Sequence, residues 1–372
     1  MRSVLTVLGV LTLISTSVGC GNGGTSYSLL ADGETFYGSS TKADTKIDVL
    51  WVIDNSGSMA SSQTNLANNF PSFINSFSQK GFDFTMAVTT TDAYLALSPM
   101  WDSYFNLNPK PFYYEGLPMA NKAKFRDGVG STHSGVFVLD PNTPNLQNVF
   151  VTNVMQGTNG RGDERSLQSI EAALKSPLNS GFIRQNAFLA VIIVTDEDDF
   201  SNSTQTAYQS YVSQLTPLSY YTDMLDGLTN SNAETRHYSV NTISINTQTC
   251  LNSINNGGGQ KIGQRVGQMA DLTDGIKGDI CGNFADELDL ISKKIASAAS
   301  EFFLGANKKP IPETIRVFVD GVEIPNADTN PANDGGWRYN ATANSITFTG
   351  QTYLPAQGSA INVTFDPQEL TF

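Results

Sequence analysis

Short apolar runs alternate along the chain with stretches whose apolar residues recur at helical spacing. "IDVLWVI" (47–53) is a near-continuous apolar run of the kind that fills a parallel sheet covered on both faces. Leu66, Phe70, Phe73, Ile74 and Phe77 then recur every three or four residues, which predicts the buried face of an amphipathic helix. "FDFTMAVTTTD" (82–92) predicts a second strand, and "GDERSLQSIEAAL" (162–174) a helix with acids in its first turn. "AFLAVIIVTDEDDFS" (187–201) is the strongest buried strand. Beyond it the pattern predicts a helix over 205–215, a strand over 238–245 and helices over 261–273 and 284–303. Residues 93–150 show no clean period and read as an insertion or loops.

Strands alternating with helices imply an α/β fold, a doubly wound and mainly parallel sheet with helices on both faces. "KKPIPE" (308–313) ends that pattern. After it, "TIRVFVDGVEIP", "GWRYNATANSITFTG" and "AINVTFDP" are short alternating strands divided by Gly, Pro and Asn. They predict a small β-sandwich domain over 308–372, with Trp337 and Tyr339 in its core.

The N-terminus follows another logic. Arg2 precedes an apolar stretch, Val4 to Ile14, that is too short to cross a bilayer and leads into small residues, the layout of a secretory signal. It closes on Ser17-Val18-Gly19-Cys20, which resembles a bacterial lipobox with Ser17 where such boxes usually carry Leu. The resemblance implies a lipoprotein signal over 1–20 and a lipidated Cys20; an ordinary signal peptide with a chance Cys is the alternative. Gly21 after the Cys implies outer-membrane sorting in lipoproteins of this kind. Residues 21–45, rich in Gly, Ser and Thr, read as a flexible linker. The expected location is the cell envelope, lipid-anchored at the outer membrane and facing either the periplasm or the exterior.

Composition changes the picture mainly for partners. A net charge of −13 over 372 residues disfavours nucleic acid or an anionic membrane surface, so a membrane would be met through the lipid anchor. Patterns for catalysis are thin. The chain has no Gly-x-x-x-x-Gly-Lys phosphate loop, no His-Glu-x-x-His helix and no Gly-x-Ser-x-Gly elbow. Its two histidines, His133 and His237, stand in "THSG" and "RHYS", which read as surface loops. The expectation is a protein that is not an enzyme.

"WVIDNSGSM" (51–59) is where chemistry enters. Asp54 ends a buried strand, and ligands of open parallel sheets gather beyond the carboxyl ends of strands. Asp54, Ser56 and Ser58 alternate, so in an extended loop they project to one side. One carboxylate and two hydroxyls form an oxygen-only set, suited to Mg²⁺ or Mn²⁺ rather than Zn²⁺. Spacing alone is weak, since Asp199, Ser201 and Ser203 repeat it, and both serines also suit helix N-capping.

At these residues the chain resembles the von Willebrand factor A family: "VIDNSGSM" is similar to its Asp-x-Ser-x-Ser metal motif, and "VIIVTDEDD" to a later strand whose terminal acid, here Asp196, faces the metal. The resemblance spans residues 46–305, with 93–150 as an insertion. It implies a metal-ion-dependent adhesion site on top of the sheet. In such sites the Ser oxygens bind directly, the acids often bind through water, and one position stays open for a partner's carboxylate. The family supplies a Thr four residues before a Leu that opens a helix; counting back from Leu167 gives Asp163, in "GRGDERS". Asp163 or Glu164 therefore stands in for it, and an extra carboxylate would tighten cation binding, favour Ca²⁺ and weaken attraction for an acidic partner residue. For Glu164, helix N-terminal charge is an equal reading.

Asp198 and Asp199 read as a solvated acidic loop, and Arg161-Gly162-Asp163 as a chance tripeptide. With Cys20 lipidated, Cys250 and Cys281 remain as one possible disulfide, flanking "LTDGIKGDIC" (272–281), which resembles the family's closing segment. The whole layout resembles bacterial surface lipoproteins of the deltaproteobacterial type. The implied function is metal-dependent binding of an unknown protein ligand, or adhesion, through a cation held by Asp54, Ser56, Ser58, Asp163 or Glu164, and Asp196. One alternative is an envelope or surface-assembly scaffold whose cation only stiffens the loops. A weaker alternative is a metal-dependent hydrolase, disfavoured because Ser56 stands where a second acid is wanted.

Overall fold

Seven of the eight residues of strand β1 (Lys46–Ile53) are buried, and a strand buried on both faces belongs at the centre of a sheet. The computed structural model of the chain describes residues 41–42, 46–78, 82–97, 121–202, 214–233, 236–254, 259–304, 309–350, 352–356 and 358–368. Cys20, the signal segment, Ser203 and most of the helix expected over 205–215 lie outside the described residues.

β1 pairs in parallel with β2 (Asp83–Thr90), and β2 carries the antiparallel edge strand β3 (Val138–Leu139). On its other side β1 pairs with β4 (Phe188–Val194), followed by β5 (Tyr238–Ser244) and β6 (Lys277–Asp279), all parallel. The six strands lie in the order β3-β2-β1-β4-β5-β6, so the direction of winding reverses between β1 and β4.

Seven helices are described: α1 (Ala60–Ser78), α2 (Leu146–Val154), α3 (Ser166–Lys175), α4 (Leu218–Thr229), α5 (Gln248–Ile254), α6 (Gln264–Leu272) and α7 (Phe284–Ala298). Alternate residues of β1 separate two layers of them. Val49, Trp51 and Ile53 share one core with α1, α2 and α7 through Leu66, Phe70, Phe150 and Ile291. Leu50 and Val52 share the other with α3, α4 and α6 through Leu167, Leu225 and Val266. Fold class is therefore mixed α/β, with helices on both faces of a mostly parallel sheet.

Several boundaries differ from those read in the sequence. The stretch 93–150, taken as insertion or loops, contributes β3 and α2; a two-residue strand and a nine-residue helix are too short to show a period. Phe150 of α2 stacks on Phe70 at 3.7 Å and meets Trp51 edge-on at 5.2 Å, at the heart of one core. Helix α3 begins at Ser166, so Asp163 and Glu164 precede it instead of occupying its first turn. Helix α4 was not anticipated, and α7 stops at Ala298 before the chain turns into a short strand, Phe302–Phe303.

That strand pairs with Ser345–Thr349, which pairs with Gly336–Asn340. A second small sheet sets Arg316–Val319 between Val322–Ile324 and Ala360–Thr364. Thr41–Lys42, the end of the stretch read as linker, pairs with Ala360 and Ile361 at its edge. Val317, Trp337, Phe348 and Val363 join the core cluster of α7, and the Ser297 hydroxyl donates to the Phe348 carbonyl. His237, just before β5, stacks on Phe303 at 5.4 Å, so these small sheets sit against the N-terminal ends of the parallel strands.

Cys250 in α5 and Cys281 after β6 form a disulfide with 5.7 Å between their Cα atoms. No described helix is long and apolar enough to cross a membrane. Phe150→Ala should cost about 3–5 kcal/mol in urea denaturation, the usual loss for a buried aromatic. A loss below about 1 kcal/mol would return α2 to the periphery of the fold.

Candidate metal centre

Asp54 is the first residue past β1, and its N–H still donates to Val194 O at 3.0 Å, so the parallel pairing with β4 holds to the strand end. Its side chain is wholly buried and fixed on both oxygens. Oδ1 accepts the Ser56 N–H at 2.8 Å, and Oδ2 accepts the Thr195 hydroxyl at 2.7 Å. The Gln63 amide donates to the carbonyls of Asp54 and Gly157, both at 2.9 Å, tying the loop to its neighbour. Ser56 is buried and Ser58 exposed, with their hydroxyl oxygens 3.4 Å apart. Two adjacent oxygens on an ion at about 2.1–2.4 Å lie about 3.0–3.4 Å from each other, so the pair suits a hard divalent cation.

The loop before α3 is pressed onto the first loop at Gly160. Its N–H donates to Asn55 O at 2.7 Å, and a Cβ at this position would come within 2.4 Å of the Asn55 side chain. Only glycine allows that approach. The two acids it delivers then part company. Asp163 Oδ2 accepts two hydrogen bonds from the Arg165 guanidinium, at 2.9 and 3.1 Å, and one from the Tyr94 hydroxyl at 3.4 Å. Glu164 is fully buried, and among the described residues no donor reaches either of its oxygens. The Asp54 and Glu197 carboxyls are near enough for their charges to act on it. Arg161 and Asp163 are both buried, so the Arg-Gly-Asp tripeptide is not displayed.

The loop after β4 completes the arrangement. Asp196 is buried, and one of its carboxylate oxygens, Oδ1, meets no donor among the described residues. Glu197 N–H donates to the Thr195 hydroxyl at 3.1 Å. Asp198 and Asp199, read as solvated, are instead helix caps. Asp198 accepts the Arg265 N–H of α6 at 2.8 Å. Asp199 accepts the Leu167 N–H of α3 at 3.0 Å, and Ser201 the Gln168 N–H at 2.9 Å. A buried helix start must find acceptors for its free N–H groups, and this loop supplies them.

Six polar side chains therefore meet beyond β1 and β4: Asp54, Ser56, Ser58, Glu164, Asp196 and Glu197. Thr195, Gln63 and Glu197 were missed in the sequence. Thr195 and Glu197 carried a usable signal, since they alternate after a strand end as Asp54 and Ser56 do. The carboxylates do not converge on one point. Among the described residues, the one trio of His, Cys, Asp or Glu with ligating atoms all within 4.8 Å is Cys250, Asp279 and Cys281. Its sulfurs are joined in the disulfide and offer no thiolate.

Burial first, and then the charge of Asp196, pushes the Asp54 carboxyl up to about 7. Burial likewise brings Glu197 to about 7, with Asp54 and Asp196 adding to the effect and Lys261 opposing it. Glu164 rises well above the usual carboxylate range through burial and the charges of Asp54 and Glu197. At the other end of β1 the buried Asp48 faces Arg184, whose Nε lies 2.6 Å from its Oδ1. Asp54 meets hydroxyl and backbone donors where Asp48 meets a guanidinium.

No protein-family model matches the chain, and no curated protein matches it in sequence. Solved structures with some likeness include the pilus adhesin SpaC from Lactobacillus rhamnosus GG in its open conformation, at 12% identity and a TM-score of 0.40 over 88% of this chain and 40% of that one. Proximal thread matrix protein 1 from the mussel byssus is another, at 13% identity and a TM-score of 0.35 over 70% of this chain and 49% of that one. The chain thus spans less than half the length of either. Scores of this size define neither a shared function nor a shared site.

In the metal-free protein the raised carboxyls hold protons between about pH 4 and 7 that the unfolded chain has released. Stability is therefore greatest at the acid side of that window and falls as pH rises through 7. Chemical denaturation in EDTA should show a loss on the order of a few kcal/mol from pH 5 to 8, with a shallower slope in Asp54→Asn. A flat wild-type profile would mean that these groups titrate normally in the fold.

Proposed function

We propose that Asp54, Ser56, Ser58, Glu164 and Asp196 hold a divalent cation, Mg²⁺, Mn²⁺ or Ca²⁺, and that the chain binds another protein through this end of its sheet. The observation that carries the reading is Glu164, a fully buried carboxyl that faces other acids and meets no donor among the described residues. A buried charge without a partner is costly, and a cation is the partner that the surrounding oxygens suit. Asp163 stands aside from the set, neutralised by Arg165. The order and kind of these residues also support the resemblance to the von Willebrand factor A motif, in which an acidic residue of the ligand completes the ion's shell. The signal-like N-terminus and Cys20 extend the proposal to a lipid-anchored protein of the cell envelope, at the outer membrane.

A binding role, not catalysis, fits the histidines. His133 lies on an exposed hairpin 3.0 Å from Asp127, and His237 packs at the opposite end of the sheet from the acids. A second reading is favoured by burial, since of the six groups only Ser58 is exposed. In it the cation stiffens the loops of a scaffold, so that stability depends on metal and partner binding does not.

Calorimetric titration of Mg²⁺, Mn²⁺ and Ca²⁺ should show one ion per chain, with binding abolished in Asp54→Ala. Absence of binding by the wild-type protein would sink the metal site and leave Ser56 and Ser58 as loop and capping residues.

A further inference from the structure

We propose that His133 is a pH-dependent latch on its own hairpin, holding the turn closed as an imidazolium and releasing it when the ring loses its proton. The latch uses none of the groups assigned to the cation and does not depend on one being bound.

The hairpin pairs Gly128–Val129 with Thr132–His133 across Gly130 and Ser131. Its base is well fixed. Arg126 N–H donates to Val88 O of β2 at 2.8 Å, and Ser134 N–H donates to Asp127 O at 2.7 Å. The Ser134 hydroxyl donates to the Asn153 side chain of α2 at 2.7 Å. The tip is less secure. Gly130, Ser131, Thr132 and His133 are all exposed, and a two-stranded ladder of two residue pairs is marginal in water.

His133 ties that tip down. Its Nδ1 lies 3.0 Å from Asp127 Oδ1, and its Nε2 lies 3.1 Å from the Gly130 carbonyl oxygen. Both partners are acceptors. A neutral imidazole carries one N–H, so it can serve only one of them and sets a lone pair against the other. The imidazolium donates to both. Accordingly the Asp127 carboxylate, and after it the Gly130 carbonyl, holds His133 above the usual imidazole range. Asp127 is the charged group set against the ring among the described residues. Helix α2, which packs on both strands of the hairpin, has no charged residue from Leu146 to Val154, and neither has the 155–158 segment after it. Arg126 turns its guanidinium to the Thr90 hydroxyl of β2, at 3.4 Å.

The latch reaches beyond the turn. A Cβ at Gly157 would lie 3.8 Å from Val129 Cγ1, and the Gln156 amide donates to the Gly128 carbonyl at 3.5 Å. The Gly157 carbonyl in turn accepts the Gln63 amide that also holds the Asp54 carbonyl. The hairpin is therefore a wall of the loop that docks onto Asn55 through Gly160. A histidine raised in the fold gives stability that is complete below its ordinary value of 6.5 and is lost as pH rises through the folded value. The wall is thus firm in mild acid and loosens in mild base.

Amide hydrogen exchange on the full purified chain, corrected for its intrinsic dependence on pH, reads the latch. From about pH 6 to 8.5, protection of the Gly128–Ser134 amides should fall by about two- to fivefold, the scale of an exposed ion pair. In His133→Gln that protection should stay constant over the same range. In Asp127→Asn the NMR titration midpoint of the His133 ring should move down. Unchanged exchange of the β1 and β4 amides checks that each variant keeps its fold. Wild-type protection that is flat with pH, or a His133 midpoint unmoved by Asp127→Asn, would overturn the latch. So would a fall that persists in His133→Gln, which would assign the loosening to the carboxyls beyond β1 and β4.

Discussion

Like charges gathered in a buried space are the constraint around which the upper end of this molecule is arranged. Asp54, Glu164, Asp196 and Glu197 are buried beyond the ends of two adjacent strands, where burial and one another's charge push the carboxyls of Asp54, Glu164 and Glu197 above their usual range. What keeps them together is a frame of backbone hydrogen bonds that would hold whatever the charge state. The Asp54 N–H caps the β1–β4 ladder, Gly160 docks onto Asn55, Phe200 docks onto Glu164, and Lys261 docks onto Asp196. The acids are placed by the main chain and are not free to move apart.

The two Asp-x-Ser turns show how little local geometry decides. In the first, the Ser56 N–H returns to Asp54 at 2.8 Å, and in the second the Ser201 N–H returns to Asp199 at 3.2 Å. Both aspartates are buried at the ends of loops beyond the sheet. The second faces the free N–H groups of α3 and the Arg265 guanidinium, which satisfy it. The first faces Thr195, Ser56 and another acid. The same turn is a helix cap in one place and a candidate ligand in the other because of what stands opposite.

Much of the sheet could be read from the chain because β1 and β4 are long and largely apolar and β2 and β5 are rich in β-branched and aromatic residues; all four emerged within a few residues of their ends. The pieces that escaped were short or conditional. β3 and α2 have too few residues to establish a period, and α3 takes its start from acceptors more than thirty positions downstream. The same distance effect hid Glu197 behind its acidic neighbours. An acid's role in "TDEDD" depends on whether a helix start or another carboxylate faces it, and sequence order carries no record of that. Asp54, Ser56, Ser58 and Asp196 were legible because strand ends announce themselves.

The pairing of Thr41–Lys42 with Ala360 and Ile361 has a mechanical side. Four residues later the chain enters β1 at Lys46 and runs straight to Asp54 at the far end of the sheet. A chain tethered upstream of Thr41 and gripped at Asp54 would carry tension along β1 itself. That strand is bonded on both flanks to parallel neighbours, so the load would fall on two rows of hydrogen bonds in shear, which must yield together instead of unzipping one at a time.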